Sequence, residues 1–408
     1  MKKCLLAHHL FTACCLLLTS CAFSAVQKRN AIVIGTTLSI TGKTAKEGES
    51  ALLGYQLYLE ELEKRGGMRV GDQRLPVKFI HYDDESRPER AVELFEKLIV
   101  EDKVDILFGP YGSTPTAAVA EVAEKHRVPM LVAHGSASAV YRDGNRYTFG
   151  IQTPARNYLF GIIDLVTHLD PSIKTIAILT EDDVFARDVT NGATAYAQEK
   201  GLTIVYSQIY PAHAQDVSVL LSEVRKHSPD LLLGAGHLQD SILVTRQVHD
   251  LGLTPKAMGF SVGPSYPEFR ANLKRRANYI FGATQWTDAL QYHGDDYWKT
   301  PKAYAAAFRA RFPNYSHVPY QAAESSAELF VLEQALEKAG SLDRERVRDA
   351  LASIDVKTFF GRIKFDVRGT NSQKPMAVEQ LQTDGNKYTV YPFEVSERKA
   401  EYPMQPQP

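Results

Sequence analysis

At 408 residues the chain is too long for one compact core, so two domains is the expectation. Its composition, 44% apolar and 23% charged, excludes wholesale disorder. Lys+Arg 47 against Asp+Glu 48 gives a net charge of −1. Without a basic excess, or a basic run with interleaved aromatics, nucleic acid is not expected as a partner.

Taken in chain order, the N-terminus comes first. All four cysteines (Cys4, Cys14, Cys15 and Cys21) fall within the first 21 residues. Lys2-Lys3, an apolar stretch to Leu18 and "TSCAFSA" form the charged, apolar and small-residue regions of a secretory signal over 1–25. The apolar part is short and broken by His8-His9, which disfavours a spanning helix. "LTSC" (Leu18 to Cys21) also resembles a bacterial lipoprotein box, which would leave Cys21 as a lipid-modified first residue and the only membrane attachment. Cleavage after Ser24 or Ala25 is the rival, and the residues leave the choice open. Either way the body has no disulfide framework, and the chain is expected to be exported to the periplasm, free or lipid-anchored.

From residue 31, apolar runs of strand length alternate with stretches of helical spacing. "AIVIGTTL" at 31 precedes a helix over 47–65, with Leu52, Leu53, Tyr55, Leu57, Leu59 and Leu62 on its apolar face and Gly66-Gly67 at its end. "PVKFIHY" at 76 precedes a helix opened by an expected capping box, Ser86-Arg87-Pro88-Glu89. "VDILFG" at 104 and "VPMLVA" at 128 continue the series. It restarts with "IKTIAILT" (173–180), "LTIVYSQ" (202–208), "DLLLGAG" (230–236) and "KAMGF" (256–260). Near-continuous apolar strands between helices point to an α/β fold with parallel sheets covered on both faces. Two lobes in series are expected, joined by extended crossings such as "NRYTFGI" (145–151) and "YIFGATQW" (279–286), with a disordered tail ending in "YPMQPQP".

In such sheets ligands bind at the strand-to-helix turns. Four turns carry suitable residues: Ser39-Ile40-Thr41-Gly42 running on to Lys43, Lys46 and Glu47; Gly112-Ser113-Thr114; His134 to Ser138; and Glu181 to Phe185. In the second turn Thr114 before Pro115 reads as an N-cap, and the helix start with its hydroxyls favours an anion. Capping alone is the plainer reading of Ser113 and Thr114. Ser136, Ala137 and Ser138, after the very next strand, repeat the arrangement and favour a carboxylate cradle.

Enzyme motifs are missing. There is no G-x-x-x-x-G-K-[ST], no G-x-S-x-G around Ser113 and no H-E-x-x-H, and "GAGHLQ" (234–239) lacks the third glycine of a dinucleotide fingerprint. Asp83-Asp84-Glu85 and Asp182-Asp183 read as helix caps rather than a cation site, with Ser86 and Asp183 in the capping positions. Catalysis, cofactor and metal are therefore not expected.

Five segments together resemble the type I periplasmic binding proteins, in particular the leucine/isoleucine/valine-binding family that feeds ABC importers. They are "IGTTLSITGKTAKEGESALLGYQLYLEEL", "GMRVGDQRLPVKFIHYDDESRPERAVELFEKLI", "ILFGPYGSTPTAAVAEVAEKHRVPML", "VPYQAAESSAELFVLEQALEKAG" and "TFFGRIKFDVRGTNSQKPMAVEQLQ". The resemblance spans roughly 31–393 and implies two Rossmann-like lobes joined by three crossings. The corresponding boundaries are 31–150 plus 284–354 for the N-terminal lobe, 151–283 plus 355–395 for the C-terminal lobe, and 396–408 for a flexible tail. It implies a small carboxylate ligand enclosed by lobe closure, permease subunits as partners, and a monomer. A ligand-sensing subunit of a membrane receptor is the alternative on the same fold.

By the same resemblance the ligand carboxylate meets Ser113 and the turn of Ser136, Ala137 and Ser138, and Phe185 stands where the branched-chain receptors usually have tyrosine. Where those receptors place a glutamate against the ligand's ammonium, this chain has Ser261, and Glu47 replaces an aromatic. A buried ammonium without a carboxylate partner costs on the order of several kcal/mol. So either Glu47, Asp182 or Asp240 substitutes, or the ligand has no ammonium. His237 at the end of its strand is a candidate for a polar ligand contact. Trp286 and Tyr320 are candidates to pack against an apolar ligand body, with Tyr320 alternatively in the core.

Overall fold

The computed structural model describes residues 30–406 with the exception of Ser316 and Ser372. The signal and lipoprotein-box readings, Cys21 included, lie outside the described residues. Among the described residues no helix is long and apolar enough to cross a membrane.

The first half runs β1 (Ile32–Leu38), α1 (Ala45–Lys64), a hairpin of β2 (Met68–Val70) and β3 (Gln73–Leu75), β4 (Val77–Asp83), α2 (Pro88–Val100), β5 (Ile106–Phe108), α3 (Ser113–His126), β6 (Met130–Val132) and β7 (Thr148–Gly150). Five of these strands form a parallel sheet in the order β4-β1-β5-β6-β7. The second half continues with α4 (Phe160–Leu169), β8 (Thr175–Glu181), α5 (Val184–Glu199), β9 (Thr203–Tyr210), α6 (Ser218–His227), β10 (Leu231–Ala235), α7 (Leu238–Asp250), β11 (Ala257–Phe260), α8 (Pro267–Leu273) and β12 (Phe281–Thr284). The chain then supplies α9 (Pro301–Arg311), α10 (Tyr320–Ala339), α11 (Arg344–Ala352), a hairpin of β13 (Asp355–Thr358) and β14 (Gly361–Lys364), and finally β15 (Ala377–Leu381) and β16 (Lys387–Tyr391). The second sheet has seven strands in the order β16-β15-β12-β11-β10-β8-β9, antiparallel only at β12–β15 and β15–β16.

Every residue of β5, β6, β10 and β11 is buried, as uninterrupted apolar runs require when helices cover both faces. Ile32, Tyr55, Phe108 and Leu332 belong to the core of the first lobe; Ile162, Ile178, Leu233 and Phe281 belong to that of the second. In the first, α1 lies almost on the backbone of α10. A Cβ at Gly54 would stand 2.1 Å from the Ala322 carbonyl, so only glycine permits the approach.

Four local expectations change. The capping box at Ser86 does not form: Ser86 sits at φ 58, accepts from the Thr44 N–H at 3.1 Å and donates to the Thr41 carbonyl at 2.8 Å, so its hydroxyl braces the turn after β1. Thr114 is not an N-cap either, because α3 already begins at Ser113 after Gly112 at φ 94. The β13–β14 hairpin, expected in the second lobe, packs Phe359, Phe360 and Ile363 into the first-lobe core, which moves the third crossing to about residues 366–376. The tail expected to be flexible is docked as far as Met404. Met404 is buried and its N–H donates to the Lys256 carbonyl, while the Glu401 N–H reaches Gln380 Oε1 at 2.8 Å.

The three crossings share hydrogen bonds. The side-chain amide of Gln285 pairs with both backbone groups of Thr153, Nε2 with the carbonyl at 3.0 Å and Oε1 with the N–H at 3.1 Å. The Thr153 hydroxyl donates to the Lys374 carbonyl at 2.7 Å, and Lys374 Nζ donates to Gln285 Oε1 at 2.8 Å and to the Gln285 carbonyl. One residue from each crossing thus meets at one point. Burial, only partly offset by the charge of Glu324, pulls the Lys374 ammonium down to about 7.

Candidate functional site

The turns after β1, β5 and β6 meet those after β8 and β10. The turn after β5 is built by Gly112, whose left-handed backbone lets α3 start at once, and by Thr116 Oγ1, which bonds the Pro110 and Gly112 carbonyls at 3.0 and 2.6 Å. The next turn must be glycine at 135, since a Cβ there would stand 2.7 Å from Thr116 Oγ1. Ser113 Oγ, buried, accepts the Ala137 N–H at 3.1 Å and so couples the two turns. Ser136 Oγ lies 3.4 Å from the hydroxyl of Tyr158.

Between the lobes remains a cavity of about 10 Å³, enough for one water at most. It is lined by Tyr111, Gly112, Ser113, His134, Ser136, Gln152, Tyr158, Phe185, His237, Val262 and Tyr320. Of the sequence candidates, Ser113, Ser136, Phe185, His237 and Tyr320 are brought together here. Phe185 stands against Tyr158 and His237 with ring centroids 5.0 and 5.4 Å apart.

Other candidates lie elsewhere. Thr114 Oγ1 donates to Asp183 Oδ2 at 2.6 Å, and the N–H and hydroxyl of Ser138 both reach Asp188 Oδ2 at 2.9 Å, so both residues fasten one lobe to the other. Ser261 is fully buried, its hydroxyl exchanging bonds with the Gly236 backbone at 3.0 and 3.1 Å, and Val262 faces the cavity instead. Trp286 packs on Tyr304 and Phe359 in the first-lobe core and donates Nε1–H to the Phe359 carbonyl at 2.9 Å. Its place beside the cavity is taken by Tyr320, which opens α10.

Tyr111, Gln152 and Tyr158 are cavity residues outside the sequence candidates, whereas His134 opens one of the four turns singled out from the sequence. Tyr111 stands two positions before Ser113 in the same turn, so the turn itself was the signal. Gln152 and Tyr158 flank the first crossing, where spacing carries no information about side-chain direction.

The three carboxylates considered as substitutes for the glutamate can be placed. Asp182 is exposed and bonded to Arg187 Nε at 2.9 Å. Asp240 accepts the His237 N–H and lies 3.2 Å from Lys43 Nζ, which also pairs with Glu181 across the lobes. Glu47 is buried behind the lining, where burial raises its carboxyl against the opposing charge of His237 and the N–H of Leu238. His237 itself is buried, with Nδ1 3.4 Å from the Tyr111 hydroxyl and Nε2 3.6 Å from Asp183 Oδ1. Burial disfavours its charge, but the bond and charge of Asp183, with Glu181 and Glu47 behind, raise it to about 9. The charged form of this imidazole is therefore favoured and is paired with Asp183, and no aspartate or glutamate lines the cavity.

The sequence profile of the periplasmic binding proteins matches residues 31–386. The chain belongs to that family. As a type I periplasmic binding protein it has a solute-binding role and is not an enzyme. It is 24% identical over 379 residues to the Leu/Ile/Val-binding protein homolog 7 of Brucella abortus (strain 2308), covering 88% of this chain and 91% of the relative. Its fold is also that of the branched-chain amino acid transporter substrate binding protein of Streptococcus pneumoniae, solved with isoleucine (TM-score 0.75, 19% identity, 91% of this chain and 100% of that one). A solute binding protein from R. palustris in complex with benzoate is similar as well (TM-score 0.73, 18% identity, 88% and 95%). This periplasmic binding protein shares its two-lobe α/β architecture with proteins of both ligand chemistries.

Proposed function

We propose that this chain is the exported solute-binding component of an ABC importer, and that its ligand is a small carboxylic acid without an ammonium group, with aromatic acids fitting best. The carboxylate is taken by Ser113, Ser136 and the first turn of α3, whose N–H groups and dipole favour an anion. The rings of Tyr111, Tyr158, Phe185 and Tyr320 provide an aromatic enclosure for the ligand body. The observation that carries the reading is the make-up of the lining: it holds His237, hydroxyls and aromatic rings but no carboxylate to receive an ammonium, which suits an acid and opposes an α-amino acid. The isoleucine and benzoate complexes of the structural neighbours represent the two chemistries being separated. Since the closed cavity is smaller than any such ligand, capture requires the lobes to part and close again.

A thermal-shift panel tests this. Benzoate-type acids at about 100 times Kd add roughly 2.7 kcal/mol of stability, whereas leucine and isoleucine give no shift. Ser113→Ala removes the shift. A panel in which leucine or isoleucine gives the largest shift sinks the proposal.

A further inference from the structure

Gln152 begins the first crossing and lines the cavity with 6% of its surface exposed. Its Nε2 donates to Glu324 Oε2 at 2.9 Å. The other oxygen of Glu324 is engaged with His134 Nδ1 at 2.7 Å, and His134 Nε2 is held by Ser325 Oγ at 2.9 Å. This chain of bonds fixes the amide: its nitrogen faces the carboxylate, so its oxygen is turned the other way. That oxygen is buried and has no hydrogen-bond partner among the described residues. A buried acceptor left without a donor is costly, and native proteins retain few of them.

We infer that Gln152 is a specificity-determining residue that accepts a hydrogen bond from a neutral hydroxyl group on the ligand. The inference rests on the carboxylic-acid reading above and narrows it to hydroxylated acids. The chemistry of the acceptor decides the class. An amide oxygen pairs with O–H, but it repels a second carboxylate and gains nothing from a methyl or methoxy group. The same oxygen would also accept from an ammonium, but a buried ammonium needs a carboxylate to offset its charge, and both oxygens of Glu324 are already engaged. The same bonds that orient Gln152 also hold it rigid, so discrimination follows from an acceptor that cannot turn away when the hydroxyl is missing.

The test compares benzoate, 3- and 4-hydroxybenzoate, the matching methylbenzoates and the matching methoxybenzoates by calorimetry on the mature protein. At least one hydroxybenzoate is expected to bind about tenfold or more tightly than its methyl and methoxy counterparts. In Gln152→Leu the affinity ratio of hydroxy to methyl and methoxy forms falls to about one, whatever the variant's affinity for benzoate itself. If acids bind but hydroxyl, methyl and methoxy forms bind equally, the role of Gln152 is refuted and the carboxylic-acid reading survives. If no acid binds and an amino acid does, the carboxylic-acid reading itself fails. The wild-type series decides the matter even if the variant folds poorly.

Discussion

The hydroxyl of Thr114, at the start of α3 in the first lobe, donates to Asp183 Oδ2, at the start of α5 in the second, over 2.6 Å. The same carboxylate caps α5 by accepting the N–H groups of Phe185 and Ala186 at 2.8 and 3.1 Å, and it faces the His237 imidazolium. One side chain therefore ties helix start, cavity wall and opposite lobe together, and its carboxyl is held well below the usual range despite its burial. Because the bond joins the two lobes, parting them would break it.

Thr114→Val removes the bond without touching the cavity. Because hydrogen bonds to charged groups contribute about 1.5–3 kcal/mol, ligand affinity should fall by roughly tenfold or more. The melting temperature without ligand should change little. Calorimetry and thermal melts of the same preparation check both. A variant with wild-type affinity would show that the contact does not favour closure.

A pH dependence follows from His237. Its pKa is raised from 6.5 to about 9, so its stabilising charge is fully present below 6.5 and is lost as pH rises through about 9. The difference in melting temperature between wild type and His237→Gln should therefore be largest near pH 6 and shrink toward pH 10.

Lys374 has the opposite sign. Its pKa is lowered from 10.5 to about 7, so the neutral amine suits the buried hub, and the stability it confers is lost as pH falls from about 10 to 7. Relative to Lys374→Met, the wild type should lose ground steadily over that interval. Melts of both proteins in matched buffers give the comparison, and a flat difference would contradict it.

Trp286 and Tyr320 separate core from cavity. Trp286→Ala should cost about 3–5 kcal/mol of stability in urea unfolding while leaving the affinity of the folded fraction unchanged. Tyr320→Ala should weaken ligand binding as well as stability, since its ring lines the cavity.

The legible part of the chain was the part governed by periodicity and turn chemistry. The strands at 31, 76, 104 and 128 and their four counterparts form where their apolar runs fall, and Ser113, Ser136, Phe185 and His237 converge because strand ends of a parallel sheet share one edge. What was not legible depended on partners far along the chain. Ser86 reads as a cap until the loop at Thr41 claims its hydroxyl, and Thr114 reads as a cap until Asp183, 69 residues on, takes it. Of the two aromatic candidates Tyr320 lines the cavity and Trp286 does not, because Trp286 is claimed by Tyr304 and Phe359, which come later in the chain. The β13–β14 hairpin alternates burial at Gly361–Lys364 as any half-covered strand does, and nothing in that alternation says which lobe covers it.

Thr153, Gln285 and Lys374 give the protein something like an axle. Straps bonded to each other at one point cannot lengthen or slide independently, so separation of the lobes has to be a rotation about that point. Displacement then scales with distance from it. A pair of fluorophores placed at the rim, near Lys46 and Glu268 where the lobes face each other at 3.9 Å, would report occupancy with a large signal, whereas labels beside Gln285 would stay silent.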